Sequence, residues 1–307
     1  MSSIVAAVRR ALAPAIPTAG LLLLCGCGRA SILVPAGPVA DANRTILLNA
    51  LTIMLAIVVP TIIATLAFAW WFRAGNTKAK YDPEFVYSGR IELIVWSIPI
   101  LVILFLSGVI WVGSHQLDPA RPLPSKAPAL EVQVVSLDWK WLFIYPAQGV
   151  ASVNELVVPA GVPVHFSITS ASVMNVFFVP RMGSMIYAMN GMQTDLHLQA
   201  DHVGAYYGQS AHFSGDGFSD MNFVVHAVPA SRFGQWIART RAAGPVLDPP
   251  GYVRLAQQSQ DVKPYTYRAV VPGLFQAVVT KKLAPGPGPR LGRGGPQVKP
   301  ISPGGQQ

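Results

Sequence analysis
The sequence predicts a membrane-anchored all-β protein: a two-helix transmembrane hairpin followed by an exported β-sandwich. Three observations predict it. Two apolar runs, residues 46–72 and 93–113, are each long enough to cross a hydrocarbon core as a helix. From about residue 130 the pattern changes to short alternating runs separated by Gly, Pro, Asn and Asp, as in an antiparallel sandwich. The N-terminus has the form of an export signal.

Composition supports this and excludes other classes. Apolar residues make up 51% of the 307 and charged residues only 12%, too hydrophobic a balance for an ordinary soluble chain. The net charge of +9 is concentrated late in the chain: Lys281, Lys282, Arg290, Arg293 and Lys299 lie in a stretch with no acid. The body is therefore only mildly basic, and nucleic acid is not an expected partner. The two cysteines, Cys25 and Cys27, both sit near the N-terminus, which rules out a disulfide framework or thiolate chemistry further along.

The elements follow in order. Residues 1–26 read as a lipoprotein signal peptide, with Arg9 and Arg10 at the basic end and "ALAPAIPTAGLLLL" as the apolar stretch. Leu24, Cys25 and Gly26 before Cys27 resemble a bacterial lipobox, so Cys27 is the expected acylated N-terminus. A short periplasmic segment, 27–45, leads to the hairpin, 46–113. Pro60 and Pro99 are tolerated in membrane helices, and Trp70, Trp71 and Trp111 suit the interfaces. The loop 73–92 carries Arg73, Lys78, Lys80 and Arg90 and is expected in the cytoplasm. Glu92 stands at its mouth, either as an interfacial charge that reaches water or as a step in a proton path. A linker, 114–128, precedes the outer domain, 129–232. Next come a helical and aromatic segment, 233–283, and a basic Pro/Gly-rich tail, 284–307, expected to be disordered.

A hairpin followed by an exported sandwich resembles subunit II of the haem–copper respiratory oxidases. The stretches "RIELIVWSIPI", "LDWKWLFIYP", "NVFFVPRMG" and "YYGQ" carry the resemblance, in order, from Arg44 to about Lys282. In the cytochrome c oxidase members, the resemblance implies a cupredoxin sandwich holding two coppers. Its loop reads Y-G-Q-C-x-E-x-C-x-x-x-H-x-x-M, with a further histidine ahead of a V-P step. Here the cysteine positions hold Ser210 and Ser214, the glutamate position His212, the loop histidine Phe218 and the earlier histidine Asn175; only Met221 matches. Two coppers in mixed valence need bridging thiolates, which serine hydroxyls do not replace. The expected fold is thus a cupredoxin-like β-sandwich lacking the dinuclear copper centre, with no cofactor in this chain. The loop is expected to close the sandwich end facing the catalytic subunit. Elsewhere, His165, His197 and His226 read as strand-face residues, and Trp139 and Trp141 as packing.

Without copper, the pattern resembles the quinol oxidase branch, the cytochrome bo type, to which "SVMNVFFVPRMGSMIYAMNGMQT" and the lipobox are also similar. The resemblance implies a proton-pumping ubiquinol oxidase in the bacterial inner membrane, with the N-terminus and outer domain periplasmic. Haems and copper are then expected in subunit I, with further small membrane subunits and membrane lipid as partners. It also implies that Glu92 lies at the entrance of a proton channel, and that residues 265–275 belong to an aromatic-rich C-terminal motif. Two alternatives are a cytochrome c oxidase subunit II, which the missing thiolates oppose, and a stand-alone lipoprotein for copper delivery or scaffolding, which Glu92 and the hairpin oppose.

Overall fold
The computed structural model describes residues 32–80, 82–125 and 127–288; Cys25 and Cys27 lie outside the described residues. Helices α1 (Pro38–Trp71) and α2 (Gly89–Gln116) are the two described helices long and apolar enough to cross a membrane, and their apolar stretches are not covered by the rest of the chain. At ~1.5 Å per residue, the 34 residues of α1 outrun a hydrocarbon core of ~30 Å. Its first turn is therefore free to pack on the outer domain, and Val39 and Ala40 are buried there. Within the span, the hydroxyls of Thr52, Thr61 and Thr65 bond back to carbonyls one turn earlier, at 2.8 Å, so none is left unsatisfied in lipid.

The hairpin limits differ from those expected. Helix α1 begins at Pro38 rather than near residue 46, because Pro38 is pre-set for the first helical turn. Helix α2 begins at Gly89, so Glu92 belongs to its first turn and not to the loop. An acid there complements the positive end of the helix dipole.

A strap just before α1 ties the hairpin to the sandwich. Ala36 N donates to Arg181 O (2.7 Å), Asp201 N to Ala36 O (2.8 Å), and Arg181 Nε to Val34 O (2.8 Å). Gly37 passes so close to the outer domain that a Cβ there would lie 1.9 Å from Gln199 O.

The outer domain has two main sheets. One is ordered β12-β3-β2-β1-β5-β8, with β1 (Leu130–Leu137), β2 (Lys140–Tyr145), β3 (Val150–Val153), β5 (Pro163–Ser170), β8 (Thr194–Gln199) and β12 (Tyr265–Tyr267). The other is ordered β4-β10-β9-β6-β7, with β4 (Glu155–Pro159), β6 (Asn175–Phe178), β7 (Met185–Ala188), β9 (Gly204–Ser210) and β10 (Asn222–Val228). The expectation of an antiparallel sandwich needs correcting, since β1 pairs β5, and β4 pairs β10, in parallel. Alternation identifies strands, but it does not choose their partners.

Strand β2 explains how the core is built. All six of its residues are buried. Trp141, Phe143 and Tyr145 face the sandwich interior, with Phe177 and Phe223 packed edge-on or tilted against the first two. Leu142 and Ile144 face the opposite way, into a second core with Tyr252, Leu255, Tyr267 and Phe275. Those partners come from the C-terminal segment: α3 (Ala230–Ala242), β11 (Val246–Leu247), α4 (Pro249–Leu255), β13 (Ala269–Val270) and α5 (Leu274–Val279), together with β12. The segment is therefore part of the sandwich, because β12 extends the sheet beside β3. The expected boundary after residue 232 falls inside α3.

The start of the tail is ordered as well. Gly286 N donates to Ala171 O (2.9 Å), Gly288 N to Asp138 Oδ2 (2.8 Å), and Gln258 Nε2 to Gly288 O (2.7 Å). The expectation of disorder from residue 284 is overturned as far as Gly288: backbone amides left unpaired on docking find acceptors here. The rest of the tail lies outside the described residues.

Candidate functional site
The loop from Ala211 to Met221 joins β9 to β10 and contains one turn of 3-10 helix, Phe218–Asp220. Antiparallel pairing of β6 with β9 sets Phe177 opposite Ser210, which brings Asn175 to the base of the loop. Asn175, Ser210, Ser214 and Met221 are all buried there. Ser210 Oγ donates to Asn175 Oδ1 at 3.0 Å, and Ser214 Oγ lies 3.9 Å from Met221 Sδ. Backbone bonds close the loop, Ser210 N to Met221 O (3.0 Å) and Met221 N to Phe218 O (3.1 Å). The remaining two positions sit at the rim and are only half-buried. Phe218 packs edge-on against Phe213, with ring centroids 5.6 Å apart, and His212 faces the edge of Tyr187 at 6.2 Å.

Four of the six positions thus converge and two stay at the rim. The donor set does not fit a dinuclear copper centre. Both cysteine positions hold hydroxyls, the Ser210 hydroxyl is already bonded to Asn175, and residues 28–307 contain no thiol.

The turn between β1 and β2 supports the loop from below. Trp139 has φ 63°, a left-handed conformation that is costly for a bulky residue, about 1–3 kcal/mol. Burying a Trp side chain of 150–250 Å² at ~25 cal/mol/Å² is worth roughly 4–6 kcal/mol, so packing outweighs the strain. The buried indole donates to Ser214 O at 3.1 Å. Gly217 lies against it so closely that a Cβ would fall 2.4 Å from Trp139 Cδ2.

Asp138 and Lys140, beside Trp139, were not singled out from the sequence, and both are buried. Lys140 Nζ donates to Gln257 O (2.6 Å), Ser259 Oγ (2.6 Å) and Asp138 O (3.3 Å). Burial pulls its pKa down to about 7, opposed by the nearby Asp138 carboxylate. Asp138 in turn accepts from Ser172 Oγ and Gly288 N. One two-residue turn therefore holds the loop through Trp139 and the C-terminal segment through its two neighbours. The available signal was "DWKW", which sets a lysine in a run otherwise apolar enough for a fully buried strand.

The histidines lie on strand faces. His165 and His197 are cross-strand partners, with rings stacked 4.5 Å apart at 9°. His165 Nδ1 lies 2.7 Å from Glu131 Oε2 and its Nε2 3.2 Å from Asp195 Oδ1. His197 N donates to Pro119 O at 2.9 Å, pinning the linker to β8. Burial, and then the His165 charge, lower the pKa of His197. His226 pairs with Glu155 at 3.5 Å. Glu92 is exposed on the first turn of α2, where its backbone N donates to Ser88 O.

Comparison with known proteins agrees with this architecture. Residues 132–228 match the family model "Cytochrome C oxidase subunit II, periplasmic domain", and residues 241–286 match "COX Aromatic Rich Motif". The chain is 47% identical over 262 residues to ubiquinol oxidase subunit 2 of Acetobacter aceti, covering 85% of each chain. It is 46% identical to cytochrome bo(3) ubiquinol oxidase subunit 2 of Pseudomonas aeruginosa, covering 85% of this chain and 78% of that one. The chain belongs to the ubiquinol oxidase subunit 2 family. Among solved structures, the periplasmic domain of cytochrome oxidase subunit II of Bradyrhizobium japonicum is 25% identical, with a TM-score of 0.35 over 38% of this chain and 96% of that one. Members of this family are membrane proteins whose cupredoxin-like domain is periplasmic, and each belongs to a multi-subunit oxidase.

Two predictions follow from this geometry. Lys140 has a folded pKa near 7, below its unfolded value of 10.5. The unfolded chain therefore binds more protons between those values, and Lys140 makes stability rise with pH from about 7 to about 10.5 and leaves it flat below. Denaturant midpoints measured across that range should lose this rise in Lys140→Met. Separately, the changes Asn175→His, Ser210→Cys, His212→Glu, Ser214→Cys and Phe218→His should create a site for two coppers with a mixed-valence spectrum. Phe218→His costs about 1–3 kcal/mol before metal arrives, and copper binding offsets this by linkage. A folded variant holding one copper or none would mean that the loop backbone has diverged.

Proposed function
We propose that this chain is the copper-free second subunit of a proton-pumping ubiquinol oxidase, taking no part in electron transfer itself. Quinol is oxidised and oxygen reduced on the partner subunit I, which carries the haems and copper. This chain anchors and braces that partner from the periplasmic side. The observation that carries the reading is the hydrogen-bonded Ser210–Asn175 pair standing where a thiolate and an imidazole would be needed for electron entry from cytochrome c. Trp139 and Trp141, buried under the loop, act as packing. The purified complex should turn over with ubiquinol and not with reduced cytochrome c. Cytochrome c turnover at a comparable rate would overturn the reading.

Glu92 is proposed as a proton-collecting carboxylate at the cytoplasmic rim of α2, where a proton must be captured before it enters low dielectric. Its exposure on the first helical turn supports this role. Glu92→Gln should slow proton uptake during oxygen reduction and leave haem content unchanged. Wild-type turnover across pH would reduce Glu92 to an interfacial charge.

Cys27 is proposed as an acylated N-terminus formed by signal cleavage after Gly26, on the strength of the "LCGC" sequence. Cys27→Ser should leave an unprocessed, lipid-free precursor, while the two spanning helices still hold the chain in the membrane. An intact mass corresponding to a different, unlipidated start would remove the assignment.

A further inference from the structure
Two cavities meet where the membrane helices emerge on the side of the outer domain. The first is a groove of about 530 Å³, lined by Ile46 of α1 and by Leu104, Phe105, Gly108, Val112 and Gly113 of α2. The α2 positions recur at three- and four-residue intervals, so they form one apolar stripe within the span. The groove ends at Gln116. Gln116 also lines the second cavity, about 470 Å³, together with Val39, Asp118, Arg121, Ser184 and His197. An apolar groove between the two spanning helices is therefore followed, past Gln116, by a polar one beside the outer domain.

The chamber holds one exposed charge of each sign, and among the described residues neither has an ion-pair partner. Arg121 N donates to Asp118 O at 3.0 Å, which keeps both residues in one turn. Their side chains form no salt bridge with each other, and among the described residues Arg121 has no ion pair at all. Asp118 uses Oδ1 to accept from Ala120 N at 2.9 Å, and among the described residues no donor reaches its other carboxylate oxygen.

We infer that this composite cavity binds one zwitterionic glycerophospholipid of the phosphatidylethanolamine class. The phosphate lies on Arg121, the ammonium on Asp118, and an acyl chain follows the stripe from Gly113 to Leu104. A guanidinium matches a phosphate through paired N–H donors, and a carboxylate accepts from an ammonium. Charge complementarity favours this occupant over the other candidates. An apolar helix of another subunit would fill the groove and leave both charges unmatched, and so would an uncharged quinol.

The test uses the complete purified oxidase in phosphatidylcholine vesicles. These are doped in turn with phosphatidylethanolamine, phosphatidylglycerol and diacylglycerol, all carrying the same photoreactive diazirine acyl chain. Labelling of the peptide spanning Leu104 to Gly113, read by mass spectrometry, should fall in that order. Each step should be about fivefold, the ratio corresponding to about 1 kcal/mol per charged group at the membrane surface. Arg121→Gln should abolish the preference for phosphatidylglycerol over diacylglycerol, and Asp118→Asn the preference for phosphatidylethanolamine over phosphatidylglycerol. Gly108 faces open space, with nothing within 4 Å of a Cβ, so Gly108→Phe should block labelling by all three lipids. Equal labelling by the three in the wild-type complex would mean ordinary surrounding lipid and overturn the inference. Absence of label on the stripe would mean that protein covers the groove, and would overturn it too. The wild-type comparison decides the matter even if a variant fails to assemble.

Discussion

The outer domain depends on one constraint: the sheet containing β2 must be covered on both faces. Trp141, Phe143 and Tyr145 project into the sandwich, while Leu142 and Ile144 project the other way. Each large apolar side chain of this kind contributes roughly 1.5–3 kcal/mol when fully buried. Leaving the second face open would forfeit that for several residues at once and expose a contiguous apolar patch. The C-terminal segment supplies the cover through Tyr252, Leu255, Tyr267, Leu274 and Phe275. The aromatic-rich segment is therefore a structural part of the domain, covering its second apolar face.

The same double burial gives meaning to the Asp138–Trp139 turn, which lies where the two cores and the loop meet. Trp139 reaches the loop, and Lys140 and Asp138 reach the C-terminal segment and the start of the tail. The loop is thus held by hydrogen bonds and packing within the chain. Its interior is satisfied by short polar side chains bonded to one another, with Met221 packed beside them. A thiolate framework would be held in shape by its metal; here Ser210, Asn175 and the backbone bonds to Met221 do the corresponding work.

The domain is also tied to the membrane at more than one point. The strap at Val34 to Gly37 threads between Arg181 and Asp201 immediately before α1, and Pro119, beyond the end of α2, is pinned to β8 by His197. Two attachments on separate chain segments restrict swivelling far more than a single flexible linker, whose reach grows with its length. The polar chamber beside Asp118 and Arg121 lies at the same junction.

The sequence by itself determined the hairpin, the sandwich, the family and the loss of copper ligands. These rest on local or compositional features: long apolar runs, alternation with a period of two, and residue types at fixed spacings in "YYGQSAHFSGDGFSDM". Such features survive without knowledge of what touches what. Tertiary structure alone decided the parallel pairing of β1 with β5 and of β4 with β10, because neighbouring strands are chosen by burial across the whole sheet and not by their own pattern. It also decided the role of Lys140, whose partners Gln257 and Ser259 are more than a hundred residues away and give no local sign of themselves. The burial of Val39 and Ala40 at the start of α1 was decided the same way, since contact with the sandwich holds them. Short-range periodicity encodes what a segment becomes, whereas long-range contact decides which partner satisfies its buried faces and polar groups.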